Sequence, residues 1–158
     1  MMPAPVTQHL DLPLDGDHAR AIEENLERLG RELRLAKRQP TAWRWALVAL
    51  WDALAHALAA NRPPEFRPES GARELPRLFQ AVYGEHPELP QVEHSIEMLN
   101  DLRTRHIARG VTRWPVELRR ELPGIFLDCL RVVGRLEPDA NMASACDQLQ
   151  CAAREATQ

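Results

Sequence analysis

One stretch of the chain, from Thr41 to Ala60, is apolar on nearly every side. Between Trp45 and Ala60, only Asp52 and His56 are not apolar. A helix with apolar residues all round is stable only when other elements surround it. Asp52 and His56 are four residues apart, so they share one face of that helix. The pattern therefore predicts a central buried helix that carries one pair of polar side chains.

Apolar residues also recur every three or four positions in segments on both sides of this stretch, and this spacing indicates amphipathic helices. The segments are 19–37, 74–83, 91–108, 115–136 and 141–153. No stretch alternates apolar and polar residues as a strand would. The sequence predicts an all-α, single-domain helical bundle of five to six helices with an up-and-down core over residues 17–155. Residues 1–16, with three prolines and no sustained period, are expected to form a flexible N-terminal arm.

Local signals refine these helices. Asp15 or Asp17 is expected to cap the first helix, and Thr41 the second. The pair Pro123-Gly124 should kink or divide the helix that contains it. The charged face of the first helix should form ion pairs four residues apart. The pairs expected there are Glu24–Arg28 and Glu27–Arg31.

Composition narrows the class of protein. The net charge is −3, which argues against a strong non-specific nucleic-acid binder but leaves room for a small local site. Lys37 is the only lysine among 20 cationic residues, a bias typical of a GC-rich bacterial genome. Three cysteines are too few for a disulfide framework, and no secretory signal is visible at the N-terminus. A cytoplasmic location is expected.

The stretch from Thr41 to Ala60 is also about the length of a membrane span, ~20 residues. However, Asp52 would lie near the bilayer centre, at a cost of roughly 2.5–3.5 kcal/mol. Other amphipathic helices are available to cover the stretch. We therefore expect no membrane association.

Two polar groups are candidates for function. Asp52 and His56 could act as a general acid and base, or could be a buried polar pair bonded to a neighbouring helix. Asn100 and Arg103 are three apart and face the same way. Arg103 lies on the inner side of its helix and should pair with a carboxylate, for which Asp52 is the obvious partner. The alternative is that Arg103 binds an anion such as phosphate. The sequence predicts that Asp52 and His56 look toward Asn100 and Arg103.

Metal and cofactor sites are not expected. Asp52, His56, Glu93, Glu97 and His106 could converge in a bundle, but no helix carries the Glu-x-x-His pattern of di-iron bundles. Glycine-rich nucleotide loops and the GxSxG motif are absent from the sequence. The tryptophans of the central stretch are interpreted as core residues and not as a cofactor box; they are Trp43, Trp45 and Trp51.

Two segments together resemble bacterial proteins of the HEPN class. The first is TAWRWALVALWDALAHAL, with a W-x-W helix before a polar position. The second is IEMLNDLRTRHIARGVTRWPVELRRELPGIFLDCLRVVGRL, with a Leu-Asn-x-x-Arg helix end, a short turn and a Trp. The likeness spans Thr41–Leu136 in order. It implies an α-helical homodimer that acts as a metal-independent ribonuclease in toxin–antitoxin or defence systems, or as a non-catalytic RNA- or nucleotide-binding module.

Catalytic members of this class carry an Arg, a polar residue after it, and a His about five positions after the Arg. These positions fall on Arg103, Thr104 and Ala108, so the histidine is missing; His106 stands three after the arginine. The resemblance thus favours a module that binds RNA, a nucleotide or a protein partner without catalysis. Two alternatives stay open. One is a ribonuclease with an altered site at Arg103, Thr104 and His106, and the other is a purely structural interaction protein.

Overall fold

All regular secondary structure in the described part of the chain is helical. The computed structural model describes residues 12, 16–39, 41–66, 74–84, 90–107, 116–137 and 139–157. Within these ranges the predicted all-α helical bundle is confirmed. The elements are α1 (His18–Ala36), α2 (Ala42–Ala60), α3 (Glu74–Tyr83), α4 (Pro90–Asp101), a π-helical segment (Leu102–Ile107), α5 (Val116–Leu136) and α6 (Ala140–Thr157).

Helix α2 is the central helix of the bundle. It packs against α1, α3, α4, α5 and the π-helical segment. Of its 19 residues, 13 are buried, including an unbroken run from Ala46 to Trp51. Alanines make up much of this run, and their small side chains let neighbouring helices approach from several directions. The prediction of a helix enclosed by others is confirmed.

Helices α1 and α2 pack in antiparallel fashion. His18 at the start of α1 contacts His56 near the end of α2, while Arg28 lies over Trp45 near the start of α2. The α1 stripe that faces α2 is buried, as its spacing predicts: Ile22, Leu26, Leu29, Leu33 and Ala36. The predicted cap at Asp17 is also confirmed, because its carboxylate accepts the backbone N–H of Arg20 at 3.1 Å.

Four predictions about helix ends and breaks need correction. Thr41 stands at the N-cap of α2, but its backbone is already helical and its side chain makes no capping hydrogen bond. The predicted helix 91–108 changes to π-helical geometry at Leu102. Pro123 lies inside α5 without dividing it, and α6 continues to Thr157, beyond the expected 153. Propensity locates such helices, but packing decides how far each one extends.

Two side-chain predictions also need correction. Trp45 is not a core residue, since 45% of it is exposed at the first turn of α2. On the charged face of α1, Glu24 forms its ion pair with Arg20, at 3.1 Å, and not with Arg28. Arg28 instead turns toward α2. The antiparallel contact between α1 and α2 places Arg28 over the Trp45 ring.

Two broader statements follow for the described residues. No helix there is long and apolar enough to cross a membrane. Most of the N-terminal arm predicted over residues 1–16 lies outside the described residues. Leu12, which is described, packs partly buried against the core.

Candidate functional site

The site begins with a buried hydrogen bond between α2 and α4. The indole Nε1 of Trp51 donates to Oδ1 of Asn100 at 3.2 Å. Both residues are nearly inaccessible to solvent, at 2% and 5% exposure. A buried indole N–H needs an acceptor, and the last turn of α4 supplies one. This bond fixes α4 against the centre of α2 and sets the position of the residues that follow Asn100.

Arg103 is the first of these residues to carry a positive charge. Its guanidinium lies over the Trp51 ring, with Cζ 5.8 Å from the ring centroid. Its Nε is buried and has no hydrogen-bond partner among the described residues. A buried donor without an acceptor costs stability, more so when the group is charged. Arg103 therefore has hydrogen-bonding capacity that the described structure leaves unused.

Asp52 lies close enough to Arg103 for each charge to act on the other. Burial raises the pKa of Asp52, and the charges of Arg103 and Arg28 oppose that rise. Burial likewise lowers the pKa of Arg103; the Asp52 carboxylate opposes this, and Arg28 adds to it. The expected direct salt bridge between Asp52 and Arg103 does not form, since neither residue has an ion pair within 4.0 Å among the described side chains. Two guanidinium groups thus share one carboxylate at a distance.

The surface of α2 that reaches solvent connects these charges. Trp45, Asp52 and His56 lie along one stripe of α2 and are its more accessible side chains on that flank. Arg28 of α1 covers one part of the exposed Trp45 indole, with Cζ 5.6 Å from the ring centroid. The result is a patch with two arginines, an exposed indole and one carboxylate. We call Arg28, Trp45, Asp52 and Arg103 the arginine patch.

The π-helical segment gives Arg103 its direction. A π turn widens the helix and re-aims its side chains, and such turns are frequent at functional sites. Thr104 supports the change, because its hydroxyl donates to the backbone oxygens of Asn100 at 2.8 Å and Asp101 at 3.3 Å. Bonds of this kind bend a helix. The Thr104 hydroxyl is therefore engaged with its own backbone.

His56 has a different neighbour from Asp52. Its Nδ1 lies 3.0 Å from Nδ1 of His18 on α1, and the ring centroids are 5.3 Å apart. One imidazole must donate and the other accept, so the contact holds a single proton. Burial lowers the pKa of His56, and His18 lowers it further by charge repulsion. The structure thus brings Asp52 toward Arg103, whereas the hydrogen bond of His56 runs to α1.

Other sequence candidates contribute less. The side chain of His106 and all of Ala108 lie outside the described residues. Glu93 accepts a hydrogen bond from Gln80 at 2.6 Å, and Glu97 is exposed. Among the side chains that are described, no three from His, Cys, Asp and Glu converge in a way that could hold a metal ion.

Sequence reasoning missed two members of this region, Arg28 and His18. Both lie on α1, where the charged positions read as an exposed surface. The similar lengths of the first two helices could have pointed to these two residues, since α1 and α2 each have 19 residues. Two such helices joined by a short connection pack antiparallel, which brings the first turn of α1 to the last turn of α2.

Comparison with known proteins adds no family to this picture: no protein-family model, curated protein or solved structure matches the chain.

Proposed function

We propose that this protein is a HEPN-like bundle that binds RNA or a nucleotide through the arginine patch, without catalysing its cleavage. The observation that carries the proposal is the buried Nε of Arg103, a charged donor with no partner. A phosphate oxygen is the acceptor that best fits a guanidinium, because the two groups match in charge and in planar, forked geometry. Arg103 is half-buried, so a phosphate can approach its guanidinium, and an outward shift of the side chain would let the buried Nε donate to that phosphate.

The surrounding charges support an anion more than a cation. Arg28 and Arg103 contribute two fixed positive charges, and the Asp52 carboxylate, whose pKa is raised by burial, interacts with both. Trp45 offers an exposed aromatic face beside these cations. Base–aromatic stacking contributes about 1–3 kcal/mol per base. A phosphate on the arginines and a base near Trp45 would give a nucleotide-sized site.

Two features favour binding over catalysis. Thr104, the polar residue of the Arg-x4-His pattern, uses its hydroxyl on the backbone of its own helix. Cleavage of RNA without metal also needs a base to remove the 2′-hydroxyl proton, and Ala108 stands where the pattern has histidine. The family assignment itself and the homodimer it implies remain part of this proposal. Light scattering of the purified protein tests the homodimer.

The test is RNA binding by the full chain in EDTA. Fluorescence anisotropy with a labelled mixed-sequence single-stranded RNA, and competition by ATP, give the affinity. We expect Arg103→Gln and Arg28→Gln each to weaken binding by roughly ten- to a hundred-fold, the range for one charged hydrogen bond. Each substitution should also reduce the slope of log affinity against log salt concentration by about one, as expected for the loss of one phosphate contact. Arg31→Gln, an exposed arginine of α1, is the matched control.

The alternatives predict different results. Loss of thermal stability in Arg103→Gln, with RNA and ATP binding unchanged, would favour the purely structural protein. RNA cleavage in EDTA that Arg103→Gln abolishes while the fold persists would favour the ribonuclease. Equal weakening in Arg31→Gln and Arg103→Gln would mean that binding depends on general charge and not on the arginine patch.

A further inference from the structure

A long groove lies between α1 and α6, on the flank of α1 away from the arginine patch. Its volume is about 620 Å³. The floor is apolar: Leu26 of α1 is buried, and Met142, Ala145, Leu149 and Ala152 of α6 are half-buried. From Met142 to Ala152 the floor extends roughly 15 Å at 1.5 Å per residue, or about three helical turns. Apolar surface of this shape is exposed to solvent along the described bundle.

The spacing of the floor residues indicates what shape fits the groove. Met142, Ala145, Leu149 and Ala152 follow one another at intervals of three, four and three residues. This is the spacing by which one helix receives the side chains of another in a coiled coil. Gly30 lies on the opposite wall without a side chain, and Leu149 packs close to it, since a Cβ at Gly30 would come 3.4 Å from Cδ2 of Leu149. A third helix, lying along the seam between α1 and α6, would fill the groove.

The charges along the rim indicate the chemistry of that helix. The lining contains four carboxylates and one guanidinium, a net charge of −3. The carboxylates are Glu23, Glu27, Asp139 and Glu155, and the cation is Arg34. A helix with basic residues beside its apolar stripe would complement this rim, whereas an acidic helix would be repelled.

Two of the rim carboxylates already have partners within the chain. Asp139 accepts the backbone N–H of Asn141 at 2.8 Å, and Glu155 lies 3.8 Å from Lys37. The charge argument therefore depends mainly on Glu23 and Glu27, which are exposed one turn apart on α1. Both point along the same wall as Gly30 and Arg34.

From these observations we propose that the groove between α1 and α6 binds a basic amphipathic helix of a partner protein. The apolar stripe of that helix packs on Met142, Leu149 and their neighbours. Its lysines or arginines lie against Glu23 and Glu27. This inference does not depend on RNA binding, since the groove and the arginine patch occupy different flanks of α1.

The experiment selects ligands from a displayed library of random peptides of about 16 residues, long enough for the groove. We expect the enriched peptides to show an apolar stripe at helical spacing with basic flanks. Their binding should weaken by about tenfold or more in Glu23→Lys/Glu27→Lys. The control is Glu97→Lys/Glu121→Lys, which makes the same charge change on exposed residues of α4 and α5 and should stay within about twofold.

Changes on the peptide side test the same contact without altering the protein. Replacing the basic residues of a selected peptide by glutamate, or its apolar stripe by serine, should abolish binding. The proposal is overturned if selected peptides bind both double variants equally, or if their basic residues are dispensable. It is also overturned if the groove holds a second copy of this chain. Sedimentation would then show a dimer that Glu23→Lys/Glu27→Lys dissociates and the control leaves intact.

Discussion

At the scale of single residues, the polar groups of α2 show how burial and partners assign different chemistry to neighbouring side chains. Asp52 and His56 are one turn apart, yet Asp52 is under the influence of two arginines and His56 shares a proton with His18. Burial raises the pKa of Asp52 and lowers that of His56. In both cases it disfavours the charged form, so the two residues act on stability in opposite directions with pH.

We expect the free energy of unfolding to fall as pH drops below 6.5, the ordinary pKa of histidine. The unfolded chain takes up a proton on His56 in that range, while the folded chain, with its lowered pKa, resists doing so. Denaturant unfolding between pH 7.5 and 5, a range of about two to three units that brackets the pKa of a free histidine, measures the slope. His56→Gln should flatten it.

His94→Gln, which changes an exposed histidine of α4, is the matched control for this measurement. Asp52 contributes the opposite slope, because its raised pKa favours the folded state as it protonates. That contribution is common to wild type and His56→Gln, so it cancels in the difference between them. An identical pH slope in wild type and His56→Gln would contradict the role given to the His18–His56 contact.

At the scale of elements, α5 shows how far packing can support a helix whose sequence is unfavourable. Pro123 and Gly124 stand inside a helix of 21 residues that continues past both. Proline lacks the backbone N–H that would complete the helical hydrogen bond, and glycine loses more backbone entropy on folding than other residues do. Buried residues on both sides compensate for these costs: Leu122, Ile125, Phe126, Cys129 and Leu130.

Gly124→Ala should therefore raise the free energy of unfolding by about 0.5–1 kcal/mol. A Cβ at this position would meet nothing within 4 Å, so the substitution lowers the entropy of the unfolded chain without crowding the fold. Thermal unfolding is the measurement, with a rise of roughly 1–4 °C expected for a chain of this size.

Gly134→Ala in the same helix is the comparison. There a Cβ would come 3.4 Å from Cβ of Cys146 on α6, so we expect a smaller gain. A loss of stability in Gly124→Ala would mean that the backbone after Pro123 departs from the helical geometry described here.

At the scale of the whole molecule, the bundle depends on the enclosure of α2. Among the described elements, α1, α3, α4, the π-helical segment and α5 all pack on this helix, while α6 packs on α1 and α5. The arginine patch and the groove between α1 and α6 lie on opposite flanks of α1 and are held in place by this arrangement. Damage at the centre of α2 should therefore destabilise the entire fold.

Leu54→Ala tests this dependence. Leu54 is fully buried in α2, and removing its side chain should cost about 2–5 kcal/mol, the range for truncating a core leucine. Leu35→Ala is the control, because Leu35 lies on α1 with 44% of its surface exposed. Its change should stay within about 0.5 kcal/mol. Urea unfolding measures both, and similar losses in the two variants would contradict the central position of α2.

The sequence by itself determined the helices and the buried centre. Apolar residues at helical spacing located each described helix to within a few residues, and the unbroken apolar run of α2 required other helices around it. Asp52 and Arg103 were also expected to come near each other, since each is a charge on the inner side of its helix. These results follow from local periodicity and from the cost of burying charge.

The tertiary structure alone decided which side chains meet. Periodicity places a residue on a face but does not say which helix covers that face. Packing of α1 against α2 brought Arg28 to Trp45 and His18 to His56, and it left Trp45 exposed. The π-helical turn at Leu102, where the Thr104 hydroxyl bonds to its own backbone, is not predicted by any spacing rule. The candidate site is formed by contacts between segments that are far apart in the sequence, and these contacts form only when the helices assemble.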